Sequence, residues 1–148
     1  MMYKDIEERK FTVPGMPQGK MRPRASAFGG HAKVHPDAKQ IEYENWMRCC
    51  YSEAYPDQDP LACPIEVEIQ AYFPIPKRVS KKGRKAMLDG DILPTKKPDL
   101  DNVVKSLDAL NGIAFEDDDL ICEIHAIKLF SEAPRVVITI REMEGERC

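Results

Sequence analysis

The sequence predicts an α+β fold, a small mixed sheet with helices packed on it, and three observations carry that expectation. Residues 65–73 alternate between Ile65, Val67, Ile69, Ala71 and Phe73 on one side and Glu66, Glu68, Gln70 and Tyr72 on the other. That is the period of a strand with one buried face. Tyr43, Trp46, Met47, Cys50 and Ala54 recur instead at helical spacing, giving one apolar face to a helix. The chain changes between the two periods without strict βαβ alternation, which favours segregated rather than alternating layers.

Taken in order, Phe11-Thr12-Val13 reads as a short first strand, stopped by Pro14-Gly15. The stretch to Pro36 is rich in Gly, Pro and basic residues and reads as an irregular loop. A helix is expected from about Asp37 to Ala54, with Pro36 and Asp37 in its first turn and Pro56 beyond its end. The strand at 65–73 ends at Pro74 and Pro76. Lys77 to Gly90 is basic and expected to be partly helical, mobile without its partner. Pro98 opens a helix from about Asp101 to Leu110, which would bury Val103, Val104, Leu107 and Leu110 and stop at Asn111-Gly112. After an acidic turn at 116–119, residues 120–130 read as a strand, with residues 136–140 as its antiparallel partner. No internal repeat or domain boundary is visible, so residues 1–148 are read as one domain.

The length of 148 residues suits such a domain and its core. Apolar content of 43% and charged content of 32% describe a soluble globular chain. No apolar run approaches the ~20 residues that cross a bilayer. The segment Met1 to Lys10 is too polar for a secretory signal. A cytoplasmic protein with no membrane partner is expected. Cys49, Cys50, Cys63, Cys122 and Cys148 are odd in number and lack the C-x-x-C spacing of a zinc site. They are read as reduced thiols. No glycine-rich phosphate loop followed by Lys-Ser/Thr occurs, which argues against a nucleotide cofactor.

The net charge of −3 is less informative than its distribution. Lys77, Arg78, Lys81, Lys82, Arg84, Lys85, Lys96 and Lys97 form one basic segment, and Lys20, Arg22 and Arg24 form another. Acidic residues gather between Asp99 and Glu123. Basic flanks around an acidic centre suit a polyanion held beside a bound metal ion. Lys20, Arg22, Arg24, Lys81, Lys82, Arg84, Lys85 and Lys97 are the candidate contacts to such a polyanion. His31, His35 and His125 are scattered and carry no site. Tyr43 and Trp46 are read as core or dimer interface.

The chemistry concentrates in Lys97-Pro98-Asp99-Leu100-Asp101-Asn102-Val103-Val104-Lys105. Proline biases the preceding residue toward extended backbone. If extension continues to Asp101, Asp99 and Asp101 point the same way, as two hard oxygen ligands of the kind Mg²⁺ prefers. Asp101 is placed to cap the following helix. Lys105 lies one turn later on its side, either to neutralise phosphate and transition-state charge or as a plain ion pair. One carboxylate of Glu116-Asp117-Asp118-Asp119 is expected to complete the site, because three carboxylates and Mg²⁺ suffice for phosphodiester hydrolysis. Taken singly, an aspartate cap or an acidic turn is an ordinary structural feature. The combination with the basic segments is what points to chemistry.

These residues, with Asp108-Ala109-Leu110-Asn111-Gly112 and then Asp117-Asp118 before Leu120-Ile121, resemble the core signature of the RusA-type Holliday junction resolvases, many of them encoded by prophages. Val13-Pro14-Gly15-Met16-Pro17, Lys20, Arg22-Pro23-Arg24 and Thr139-Ile140-Arg141-Glu142-Met143 extend the likeness over most of the chain. The resemblance implies a homodimer that nicks four-way DNA junctions in pairs with Mg²⁺ as cofactor. It places Asp99 and Asp101 at the paired metal-binding aspartates, Lys105 at the catalytic lysine and Asp118, flanked by Asp117 and Asp119, at the third aspartate. The stretch from Pro76 to Lys96 is longer than expected of the shortest family members. The alternatives are a flap- or fork-selective nuclease and a DNA-binding protein that does not cut. Keeping all three aspartates and Lys105 argues against the latter. A restriction-type nuclease core would need an acidic residue two before its lysine, where Val103 stands.

Overall fold

The computed structural model describes residues 6–20, 24–28, 31–35 and 38–143, with 24–28 and 31–35 described as backbone. In chain order the elements are β1 (Glu8–Pro14), β2 (Arg24–Phe28), β3 (His31–His35), α1 (Ala38–Ala54), β4 (Ile65–Pro74), α2 (Lys81–Leu88), α3 (Leu100–Lys105), β5 (Ile121–Ser131) and β6 (Arg135–Glu142). Short 3₁₀ turns at Ser106–Leu110 and Asp118–Leu120 join α3 to β5. The fold is α+β, as expected: one four-stranded mixed sheet in the order β1-β6-β4-β5, with helices packed on it, and a separate β2-β3 hairpin.

The central strand is β4. Its alternate residues Ile65, Val67, Ile69, Ala71 and Phe73 are all buried, and burying each large side chain contributes about 1.5–3 kcal/mol. They meet Phe11 and Val13 of β1, Ile138 and Ile140 of β6, and Tyr43, Met47 and Tyr51 of α1 in one core. Arg9 is buried as well, donating to the Tyr51 hydroxyl (2.8 Å) and the Asp59 carbonyl (2.9 Å) and pairing with Glu7 (2.7 Å).

Three readings of the sequence change here. The loop before Pro36 contains the antiparallel β2-β3 hairpin; alternation about the Gly29-Gly30 pair is the available signal in the sequence. Second, β5 and β6 do not pair. β4 lies between them, parallel to β5 and antiparallel to β6. The strand with the most apolar face takes the middle, where both edges are satisfied, and the short link after β5 steps over its end. Arg135 secures that link, donating to Ser131 Oγ (3.0 Å) and the Ala133 carbonyl (2.9 Å) while lying 4.0 Å over the Tyr72 ring. Third, the apolar face of α1 is rotated. Tyr43, Met47 and Tyr51 are buried, whereas Trp46 is not core: it is 45% exposed, its indole donating to the Pro14 carbonyl (2.8 Å).

Candidate active site

The approach to the site is anchored from β5. Lys128 Nζ donates to the carbonyls of Lys96 (2.6 Å) and Pro98 (2.9 Å), and lies 5.0 Å over the Phe73 ring. Between these carbonyls the Lys97-Pro98 peptide is cis. Asp99 then holds an extended backbone (φ −65°, ψ 146°) and is the N-cap of α3, its carbonyl accepting from the amides of Asn102 and Val103 (3.1 Å each). Two expectations fail at this point. Asp101 is not the cap, because the helix already begins at Leu100. For the same reason Asp99 and Asp101 are not extended neighbours on one strand face. The Asp99 side chain makes no capping bond to its own helix, and both carboxylates are exposed.

Along α3, Asp101 and Lys105 form an i,i+4 ion pair at 3.8 Å, with Lys105 Nζ as its cation. Their side chains are 72% and 55% exposed, so the pair contributes only about 0.3–0.5 kcal/mol. Lys105 is thus held loosely enough to change partner. The predicted helix to Leu110 breaks after Lys105: Ser106 Oγ donates to the Val103 carbonyl (2.5 Å), and the chain tightens into a 3₁₀ turn. Leu107, Ala109 and Leu110 go into the core, and Asp108 is left pointing outward.

The chain returns through Gly112, whose φ of +76° strongly favours glycine, while Asn111 keeps a negative φ. Gly112 donates to the Phe115 carbonyl (2.7 Å), and the amide of Glu116 donates to Leu61 O (2.9 Å). Asp117 then caps the next 3₁₀ turn, its carboxylate accepting from the Asp118 amide (2.8 Å). One oxygen of Asp117 is engaged in this cap, and the Asp118 carboxyl lies against both Asp117 and Asp108. The Asp118 carboxyl is raised above the usual aspartate range, first by hydrogen bonding with Asp117 and then with Asp108. Asp118, Asp108 and Lys105 line one hollow of about 220 Å³, with Val104, Ile121 and Ile124 beside them. Asp99 opens instead on a larger cavity beside the start of α3.

Asp108 is the residue whose place in the site was missed from sequence. It stands three residues after Lys105, and its acidic neighbour Asp118 is remote in sequence, so spacing alone does not connect them. It also has a basic partner in Lys20, one of the expected phosphate contacts. Lys20 Nζ lies 3.4 Å from both Asp108 and Glu44, and its amide donates to the Asn102 carbonyl (2.8 Å). Lys20 therefore ties the amino-terminal segment and α1 to the site. Arg48 strengthens the tie, its Nε donating to the Ala109 carbonyl (2.9 Å).

Of the other basic candidates, Lys81, Lys82, Arg84 and Lys85 lie exposed on α2, capped by Ser80 Oγ, and Arg84 pairs with Glu132. Lys97 is exposed beside Asp99. Arg22 lies outside the described residues, and so does the side chain of Arg24.

The donor set fits a divalent cation in its chemistry. Exposed carboxylates are hard oxygen ligands, and crowding Asp118 against Asp108 and Asp117 leaves negative charge that a cation offsets. Among the described residues, no three metal-binding side chains already converge. Asp99 precedes α3 and Asp101 lies in its first turn, and Lys105 in its last turn lines the hollow with Asp118.

Residues 14–141 match the family model of endodeoxyribonuclease RusA. An uncharacterized protein of Bacillus subtilis (strain 168), YqaN, is 36% identical over 139 residues, covering 92% of this chain and 97% of that protein.

Proposed function

We propose that this chain, which belongs to the RusA endodeoxyribonuclease family, resolves four-way DNA junctions by paired nicking as a homodimer. The observation that carries the reading is the shared hollow of Lys105, Asp108 and Asp118 at the foot of the helix bearing Asp99 and Asp101.

In this reading Asp99, Asp101 and Asp118 hold Mg²⁺. When bound, Mg²⁺ polarises the phosphate and lowers the pKa of the attacking water. Lys105 exchanges its exposed pairing with Asp101 for the phosphate oxygens and offsets the charge that builds on them. Asp117 aims Asp118 by capping the turn beneath it, and Asp108 and Lys20 hold that turn against α1. Lys128 sets the position of Asp99 through the carbonyls on either side of Lys97. Lys81, Lys82, Arg84, Lys85 and Lys97 carry the DNA backbone toward the site. A two-fold dimer would present two such sites to a junction of matching symmetry, which accounts for paired cuts in opposed strands. A protein handling recombination intermediates would work where DNA is kept, in the bacterial cytoplasm.

The test is cleavage of a labelled four-way junction against a linear duplex of the same sequence, with Mg²⁺ and with EDTA. Paired, Mg²⁺-dependent nicks confined to the junction are expected. Cleavage of flaps or forks alone would replace junctions with those substrates, and tight junction binding without cleavage would make the chain a binding protein.

A further inference from the structure

Apart from Asp99 and Lys97, the residues of the larger cavity beside the start of α3 have no part in the chemistry above. The cavity holds about 460 Å³ and is bounded by residues 16–19, Lys39 and Gln40 at the start of α1, and Lys97, Pro98, Asp99 and Asn102. This volume is in the range of small-molecule sites and exceeds what one phosphate oxygen contact requires. Its walls are held firmly. Gly19 packs so closely on α3 that a Cβ there would stand 2.8 Å from the Cβ of Asn102 and 3.0 Å from that of Pro98. The adjoining amide of Lys20 is bonded to the Asn102 carbonyl at 2.8 Å.

The lining is chemically mixed in a particular way. Pro17 and Pro98 are apolar walls, and Met16, 52% exposed, offers a soft apolar side chain at the edge. Gln18, Gln40 and Asn102 supply amides that both donate and accept, that of Gln40 already donating to the Glu44 carboxylate at 3.4 Å. Lys39 and Lys97 add cations. Apolar walls with side-chain amides suit a flat heterocycle with donors and acceptors on its edge, and flanking lysines suit the phosphates attached to it. A second cavity of about 450 Å³ continues from the first, sharing Met16, Gln18 and Lys39 and adding Tyr43. The Tyr43 hydroxyl is buried and leans toward the Gln18 backbone without closing a hydrogen bond.

We propose that this cavity receives one nucleotide of the DNA strand being cut, unstacked from its neighbours, with its base read by Gln18, Gln40 and Asn102. The inference rests on the nuclease reading, since Asp99 places the cavity next to the phosphate that is cut. Drawing a base out of a stack costs a few kcal/mol in duplex and least where pairing is already interrupted. A branch point is such a place, so the same cavity supplies both a base preference and a preference for branched DNA.

The experiment uses four-way junctions carrying 2-aminopurine at one position at a time around the mapped nick, bound in Ca²⁺ to prevent cutting. The wild-type protein should raise its fluorescence several-fold at one position flanking the nick. Nick frequencies in Mg²⁺ on junctions randomised there should favour one base. The double variant Gln18→Leu/Gln40→Leu, with folding checked by thermal denaturation, should weaken that preference by about tenfold. Wild-type cutting with no fluorescence rise at any flanking position overturns the proposal and leaves the nuclease reading intact, and so does an undiminished base preference in the folded variant. If the variant does not fold, the wild-type fluorescence scan decides alone. If the wild type neither binds nor cuts any junction, the nuclease reading itself fails and this inference falls with it.

Discussion

β4 and β5 run side by side, parallel and paired along their length, yet they are opposite in character. Every second residue of β4 is buried against the core. β5 is the sheet edge, with Cys122, Glu123, Ile124, His125 and Ile127 all exposed. The register slips by one residue at its start, where Ile65 pairs with Ile121 but Glu66 pairs with Glu123. A bulge of this kind bends the strand where it leaves the 118–120 turn. The pairing separates two duties. β4 with β1 and β6 holds the molecule together, and the exposed strand follows the turn bearing Asp118 and carries Lys128, which anchors the approach to Asp99.

This division is testable, and the largest effect should fall on the exposed side. Asp101→Asn is expected to reduce junction cleavage by about a thousandfold or more, while thermal denaturation and junction binding stay close to wild type. Cutting at the wild-type rate would remove Asp101 from the site. Next, Ile69→Ala in β4 should destabilise the fold by about 2–5 kcal/mol in urea denaturation, whereas Ile127→Ala on β5 should cost less than about 1 kcal/mol. Equal costs would erase the contrast between the strands. Arg9→Ala, at the far edge of the sheet, leaves the Tyr51 hydroxyl and Asp59 carbonyl without their charged donor. About 1.5–3 kcal/mol of lost stability with unchanged cleavage is expected.

The smallest effect concerns pH. His125 has its pKa raised, mainly by its 2.9 Å hydrogen bond to Glu123. A histidine with a raised pKa in the folded state stabilises it fully below the unfolded value of ~6.5, and the contribution fades as pH rises through the higher folded value. The urea midpoint should therefore decline slightly as pH rises from ~6.5 through the higher folded value, and Glu123→Gln should flatten that decline. A slope unchanged in the variant would assign it to another group.

Periodicity made the central strand and the long helix legible, because burial on one face leaves a repeating mark: Ile65 to Phe73 and Tyr43 to Met47 are where that mark falls. Strand order was not legible. Whether the strands at 121–131 and 135–142 pair depends on which strand most needs two neighbours, a competition decided across the whole sheet. The acidic motif singled out Asp99 and Asp101, and only the family resemblance chose Asp118 from the turn at 116–119, whereas the helix start at Leu100 and the approach of Asp108 depend on packing. Lys20 illustrates the same limit from the basic side. Its charge is plain in the sequence, and its two carboxylate partners come from α1 and from the turn after α3.

The grip of Lys128 on the carbonyls of Lys96 and Pro98 has a consequence for how relatives of this chain can vary in length. Because Asp99 is indexed from β5, residues between the end of β4 and Lys96 can be gained or lost without displacing it. The long basic stretch that includes α2 is such a place, open to remodelling for different DNA shapes. An insertion between Asp118 and Lys128 has no such freedom, since it would move one carboxylate relative to the other. Length variation should therefore collect before the aspartates and be scarce after them.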